Sequence, residues 1–442
     1  MTRAGRTVVA LSLAVALFVV GGIGLLRRPG DAAGSAAAPA AADPAALAVA
    51  PGSEEAAIAT LQQRLREVPG DWNAANDLGL AYVQEARVTA DPSYYPKAEL
   101  VLATSLRTHP DDNAGAYVGL AALAAARHDF AGALRDGERA RRLDPYGGAV
   151  YGVLGDALVE LGRYAAAGSA FQKMVDIAPG LSSYARVSYF RELHGDVAGA
   201  VAAMRAARQV AGTAPDTSWA AYQLGELAWN AGDLVGAAAR YREAEQLDAA
   251  WVPPRAGMAK VAWARDHGPT AIARYREVVA RYPLPEYVVA LGDLLWTMGD
   301  RASARREYGL AHVEAALFRA NGVNVDLELA VFDADHGDPG RALRAARLEW
   351  ARRHSIHVAD AYAWALHAAG RDARAIGFER RALALGTRSA LFRYHLGMIE
   401  LVLSRRAAGV RDLRTALAIN PNFSILGAPA ARSAIARAGG TA

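Results

Sequence analysis

The chain of 442 residues contains no cysteine. That excludes disulfides, thiolate nucleophiles, cysteine-ligated zinc and the lipid-carrying cysteine of a lipoprotein. A charge excess is lacking too: Lys and Arg number 49 against 45 Asp and Glu, a net charge of +4. No basic cluster of the kind a nucleic-acid surface needs is present, so nucleic acid is not expected as a partner. Long β-branched runs are few, alanine is abundant and 53% of the residues are apolar. Helices around a buried core are therefore expected rather than a sheet. Catalytic signatures are also missing. There is no Gly-x-Ser-x-Gly, no phosphate loop, no His-Glu-x-x-His and no dinucleotide fingerprint. The expectation is a protein that is not an enzyme and has no cofactor.

What is present is a repeating unit, clearest at Gly148–Pro179. Tyr151, Leu154, Gly155 and Leu158 fall at i, i+3, i+4 and i+7, one face of a helix. Gly155 adds no side chain, so a partner helix can approach there. Gly162 suits the left-handed end of that helix. Ala167, Phe171 and Met174 then repeat the spacing, and Pro179 ends the unit. This pattern resembles the tetratricopeptide repeat (TPR), a helix–turn–helix of 34 residues. Units recur from Asp71 to Pro421, about ten in all. Turn glycines mark them: Gly162, Gly195, Gly232, Gly299, Gly337 and Gly370. Four of these precede Asp196, Asp233, Asp300 or Asp338, a helix-ending glycine before a helix-starting aspartate. The units starting near Leu181 and Val323 depart most, with Ser188 and Ala330 where glycine is expected. The resemblance implies an all-α, right-handed superhelical solenoid. Each unit is expected to touch only its neighbours, and terminal helices should close the ends.

Ahead of the array, Arg3 and Arg6 precede an apolar run, Thr7–Leu26, which Arg27, Arg28 and Pro29 close. Twenty residues make about 30 Å of helix, enough to span a bilayer. Residues 1–28 are therefore expected to be a transmembrane anchor, or alternatively a cleaved signal peptide. Residues 29–52 are rich in Ala and Pro and read as a disordered tether. The solenoid takes 53–442. The slight basic excess on the N-terminal flank favours a membrane-anchored protein with its solenoid extracytoplasmic; secretion after cleavage is the alternative.

The family resemblance also implies that the first helix of each unit lines a concave surface. By that rule Tyr222, Trp229, Trp263, Trp296 and Trp364 face it, the first four as an aromatic row beside Glu226, Glu286 and Asp293. Packing between neighbouring first helices is the competing reading for the tryptophans. Other acidic residues, Asp156, Glu160, Asp335 and Asp360 among them, fall on the same face against one basic residue, Lys260. Arginines crowd the second helices. The expected function is a non-catalytic protein-interaction scaffold docking a protein or extended peptide on that acidic, aromatic groove. The alternatives are an accessory subunit of an envelope transporter or biogenesis complex, and an extracytoplasmic solute- or metal-binding protein using His354, His357, His367 and His395. Those histidines read more simply as surface or packing residues. Asp333-x-Asp335-x-Gly337-Asp338 carries its glycine too early for a calcium loop and lacks the closing glutamate. No metal site is assigned.

Overall fold

A computed structural model describes residues 53–439. Among them lie twenty-two helices and no strand. The helix α1 (Ser53–Glu67) leads. Ten antiparallel pairs follow: α2 (Trp72–Thr89) with α3 (Tyr94–Thr108), α4 (Ala114–Ala126) with α5 (Phe130–Leu143), α6 (Gly148–Glu160) with α7 (Tyr164–Ile177), α8 (Leu181–Leu193) with α9 (Val197–Gln209), and α10 (Ala214–Asn230) with α11 (Leu234–Leu247). The second half comprises α12 (Pro253–Ala264) with α13 (Gly268–Arg281), α14 (Pro285–Thr297) with α15 (Arg301–Ala320), α16 (Asp326–His336) with α17 (Pro339–Arg352), α18 (Ile356–Ala368) with α19 (Asp372–Ala382), and α20 (Ala390–Val402) with α21 (Arg406–Ile419). The helix α22 (Gly427–Arg437) ends the array.

Local chemistry explains the punctuation. Gly195, Gly232, Gly299 and Gly337 take φ of 76, 79, 90 and 96°, the left-handed region where a Cβ would be strained. The aspartate after each then caps the next helix: Asp196, Asp233, Asp300 and Asp338 each accept from a backbone N–H three residues on. Within a pair, the first helix lies against the second at its glycine. A Cβ at Gly155 would overlap the Phe171 ring, and the same holds for Gly225 against Tyr241, Gly292 against Tyr308 and Gly397 against Leu413. The helices touch because one side supplies bulk and the other none.

The two irregular units have separate explanations. Ser188 is buried where glycine was expected, and its hydroxyl donates to the Ala200 carbonyl of the facing helix at 2.8 Å. The pair α8–α9 keeps its form. The unit near Val323 is altered: α15 runs 20 residues and α16 starts at Asp326. The extra turns carry Ala315 into a cluster with Val323, Val325, Leu329 and residues of the first pair, among them Leu78, Val83 and Ala98.

That cluster corrects one expectation. Units do not touch only their neighbours. Tyr282 donates its hydroxyl to the Arg87 carbonyl, 195 residues away. The Asn324 N–H donates to the Arg127 carbonyl at 3.0 Å. The Ile356 N–H donates to Tyr164 Oη at 2.8 Å across 192 residues, and Asn420 Nδ2 donates to the Trp229 carbonyl at 2.8 Å across 191. Chain loops thus meet again after roughly five to six units of 34 residues. The coil lies on its own preceding turn, and the two edges are joined by hydrogen bonds and ion pairs.

The expected membrane-anchored placement needs a second correction. No helix among the described residues is long and apolar enough to cross a membrane, so the structure gives that placement no support. The run Thr7–Leu26 and the tether through Gly52 lie outside the described residues.

Candidate docking face

The first helices α10, α12 and α14 carry the residues expected to form the groove. The structure divides them. Tyr222, Glu226, Trp229 and Asp293 are buried, whereas Trp263, Trp296 and Glu286 are only partly covered.

The buried acids have partners from the same chain. Glu226 accepts from Lys260 Nζ at 2.7 and 2.8 Å and from Tyr241 Oη at 2.6 Å. Asp293 accepts from Tyr308 Oη at 2.8 Å, with His336 Nε2 at 3.0 Å. Asp156 takes a two-pronged contact from Arg186, whose Nε and Nη2 lie 3.0 and 2.8 Å from its oxygens. Glu160 pairs with Arg353 Nη1 at 2.5 Å. One rule covers three of these. Glu226, Asp293 and Asp156 each follow the close-contact glycine. Where the facing helix offers a tyrosine, as Tyr241 and Tyr308 do, its hydroxyl serves the carboxylate. Where it offers Phe171, which has no donor, Arg186 of the next unit takes over. Each of these four carboxylates finds a donor, since an unmet one costs on the order of 1–3 kcal/mol or more. The acidic face read from sequence is therefore largely neutralised within the chain.

Glu286 and Glu192 are less well served. Burial, and then the nearby Glu226 carboxylate, push Glu286 up to about 7. Burial pushes Glu192 up to about 7 against a hydrogen bond from Asn230. Asp293 is likewise raised by burial, with His336 and Tyr308 opposing.

Cations already sit on two of the three tryptophans. Lys260 Nζ lies 5.3 Å from the Trp229 ring centroid, and the Arg301 guanidinium 5.1 Å from that of Trp296. Over Trp229 and Trp263 lies the segment between α21 and α22. Asn422 and Ile425 line one pocket with Trp229, Lys260, Trp263 and Tyr275. Ile425 packs on the cluster that includes Trp263 and Trp296. Sequence reasoning missed this cover, which no local spacing announces. It also missed Tyr241 and Tyr308 as carboxylate donors. A tyrosine at the Phe171 place, opposite an acid after the glycine, is the signal that would have found them.

The histidines are dispersed. His354 packs edge-on against Trp350, His357 Nε2 lies 3.4 Å from Tyr189 Oη, and His367 Nδ1 lies 2.5 Å from Asp372. His395 Nδ1 lies 2.6 Å from Asp360 Oδ1. The arginines of the second helices, such as Arg135, Arg139, Arg305, Arg306 and Arg344, are exposed.

Residues 149–180 match the tetratricopeptide repeat family. That stretch, the pair α6–α7, is thus a tetratricopeptide repeat unit. No curated protein matches the sequence. Solved structures similar to it include yeast Tom70, at 12% identity over 87% of this chain and 86% of that one, with a TM-score of 0.37. The human IFIT1 dimer with m7Gppp-AAAA is similar at 13% identity over 74% and 76%, with a TM-score of 0.48. A tetratricopeptide repeat protein from Parabacteroides merdae is similar at 16% identity over 58% of this chain and 98% of its own, with a TM-score of 0.35.

Proposed function

We propose that the chain is a non-catalytic protein-interaction scaffold whose docking face is the partly covered stretch of α12 and α14 around Trp263 and Trp296. The observation that carries this reading is the segment Asn420–Leu426. It is irregular chain, not helix; Ile425 rests on this face, and Asn420 ties the segment beside it to the Trp229 carbonyl of α10. A surface that takes such a segment from its own chain has the shape and chemistry to take one from a partner. Tyr222, Glu226, Trp229 and Asp293 act beneath it as its rigid floor. Because Lys260 and Arg301 already lie over two of the rings, an apolar side chain suits the remaining ring area better than a basic one. Large aromatic residues often dominate binding energy at such faces.

The test is a displayed peptide library selected on the purified chain. Trp263→Ala with Trp296→Ala should weaken binding of the selected peptides at least tenfold, by the usual hot-spot scale, with helical content unchanged. If the double variant unfolds, the rings are core and the reading fails. If it stays folded and binds fully, the docking face lies elsewhere.

A further inference from the structure

We propose that Asp360, Glu379 and His395 form a binding site for one divalent transition-metal cation of the zinc type, tying the last two helix pairs together. The three residues come from three helices, α18, α19 and α20. One donor atom from each lies within 4.8 Å of the other two. Zinc holds carboxylate oxygen and imidazole nitrogen at about 2.0–2.2 Å, so its ligands stand some 3–4 Å apart and only a small contraction is needed. All three side chains are buried; Glu379 and His395 have no exposure at all.

Three polar atoms of this cluster have no hydrogen-bond donor or acceptor outside it. No N–H or hydroxyl reaches either carboxyl oxygen of Glu379, whose neighbour is the Asp360 carboxyl, and Nε2 of His395 has no hydrogen-bond partner. Asp360 Oδ1 lies 2.6 Å from Nδ1 of the same imidazole, and its carboxyl also acts on that of Glu379. A buried carboxyl with both oxygens unmet is costly, and a cation would satisfy them together. With Glu379 able to chelate through both oxygens, three side chains offer four donor atoms. The imidazole is already held in place: Trp364 stacks on it with ring centroids 4.1 Å apart and 14° between planes, and Trp364 Nε1 is itself fixed by Asp335 at 2.7 Å. Besides Asp360, the charged group that acts on Glu379 is Arg393, and its guanidinium is committed to Asp412 at 2.9 Å. No cationic side chain therefore closes this acid pair in the way Lys260 closes Glu226. One nitrogen and two carboxylates suit zinc and its first-row neighbours better than calcium or magnesium, which prefer all-oxygen shells.

Because the ligands are buried, the ion enters as these helix pairs assemble. The full chain is therefore unfolded in denaturant with chelator, cleared of chelator and refolded with or without Zn(II) or Co(II). The expected result is one ion per chain after desalting, a visible absorption band for the Co(II) form, and a Tm several degrees above that of the metal-free protein. Glu379→Gln keeps the shape and removes the chelating carboxylate, so it should weaken binding at least tenfold and abolish the Tm difference. Binding that persists in Glu379→Gln would place the ion on surface groups and overturn the site. So would a wild-type chain that retains no ion when refolded with Zn(II) or Co(II), which would leave Asp360 and Glu379 as a pair sharing a proton. Should Glu379→Gln fail to fold, the wild-type result decides by itself: a single ion whose removal lowers Tm supports the site, and no bound ion overturns it.

Discussion

Two acidic positions in this solenoid are built alike and finished differently. Glu226 on α10 meets Tyr241 on α11 and Lys260 on α12. Asp360 on α18 meets Glu379 on α19 and His395 on α20. In both, a first helix, its second helix and the next first helix each contribute one residue. In the first case the three sum to a closed set, with an anion, a hydroxyl and an ammonium. In the second they sum to two acids and an imidazole, and three polar atoms are left over. The framework fixes where side chains converge; it does not fix whether their charges balance. Burial then sets the penalty for imbalance, and the second set is the more deeply buried.

Removing the cation from the balanced site should have the largest effect. Lys260→Met leaves Glu226 buried with one hydroxyl for company, and breaking such a pair should cost about 3 kcal/mol. Denaturant unfolding checks it; a loss under about 0.5 kcal/mol would mean that Glu226 takes up a proton or water at little cost.

The next effect comes from two partly covered acids whose ionisation burial opposes. Glu192 and Glu286 ionise near 7 in the fold, against an ordinary value of 4.5. Between those values the folded chain holds more protons than the unfolded one. Their contribution is therefore full below pH 4.5 and is lost as pH rises through 7. Each accounts for about 1–2 kcal/mol after allowance for partial exposure. Thermal unfolding of the double variant Glu192→Gln, Glu286→Gln should show a shallower decline between pH 5 and 7.5 than the wild type. An unchanged slope would contradict the assignment.

The smallest effect is the opposite in sign. In the presence of chelator, Glu379→Gln should be neutral or stabilise by up to about 1 kcal/mol, because an amide is cheaper to bury than an unpaired carboxyl. A loss of more than that would show that Glu379 already has a partner which the amide cannot serve.

How much of this was legible in the sequence depends on range. The unit was readable because its determinants are local. Gly155 and Phe171 sit a fixed distance apart, and Gly195 with Asp196 marks a turn by itself. The array of ten pairs with a helix at each end follows from counting them. The state of the tryptophans was only half legible: Trp263 and Trp296 keep some exposure, but Trp229 does not, because Asn420 and Ile425 return from the far end of the chain. The acidic face was legible as composition and misleading as potential, since Arg186, Arg353 and Lys260 lie in other units and no spacing assigns them to their acids. The same holds for Asp360, Glu379 and His395, whose meeting requires three helices to be in place.

The joint between successive turns has a consequence for the order in which this molecule can be made. An open solenoid can fold each unit as it leaves the ribosome, since every contact is to the unit just before. Here the Trp229 carbonyl waits for Asn420, Tyr164 for Ile356 and Arg87 for Tyr282, some 190 residues behind in synthesis. At about 5–20 residues per second, that is roughly ten to forty seconds during which the first turn stands with one rim bare. The apolar patch around Leu78, Val83 and Ala98 is then short of Ala315 and Leu329. Folding of the nascent chain is thus governed by its second half, and a ribosome that stalls before that half emerges leaves an exposed edge that chaperones, or another nascent copy, can occupy.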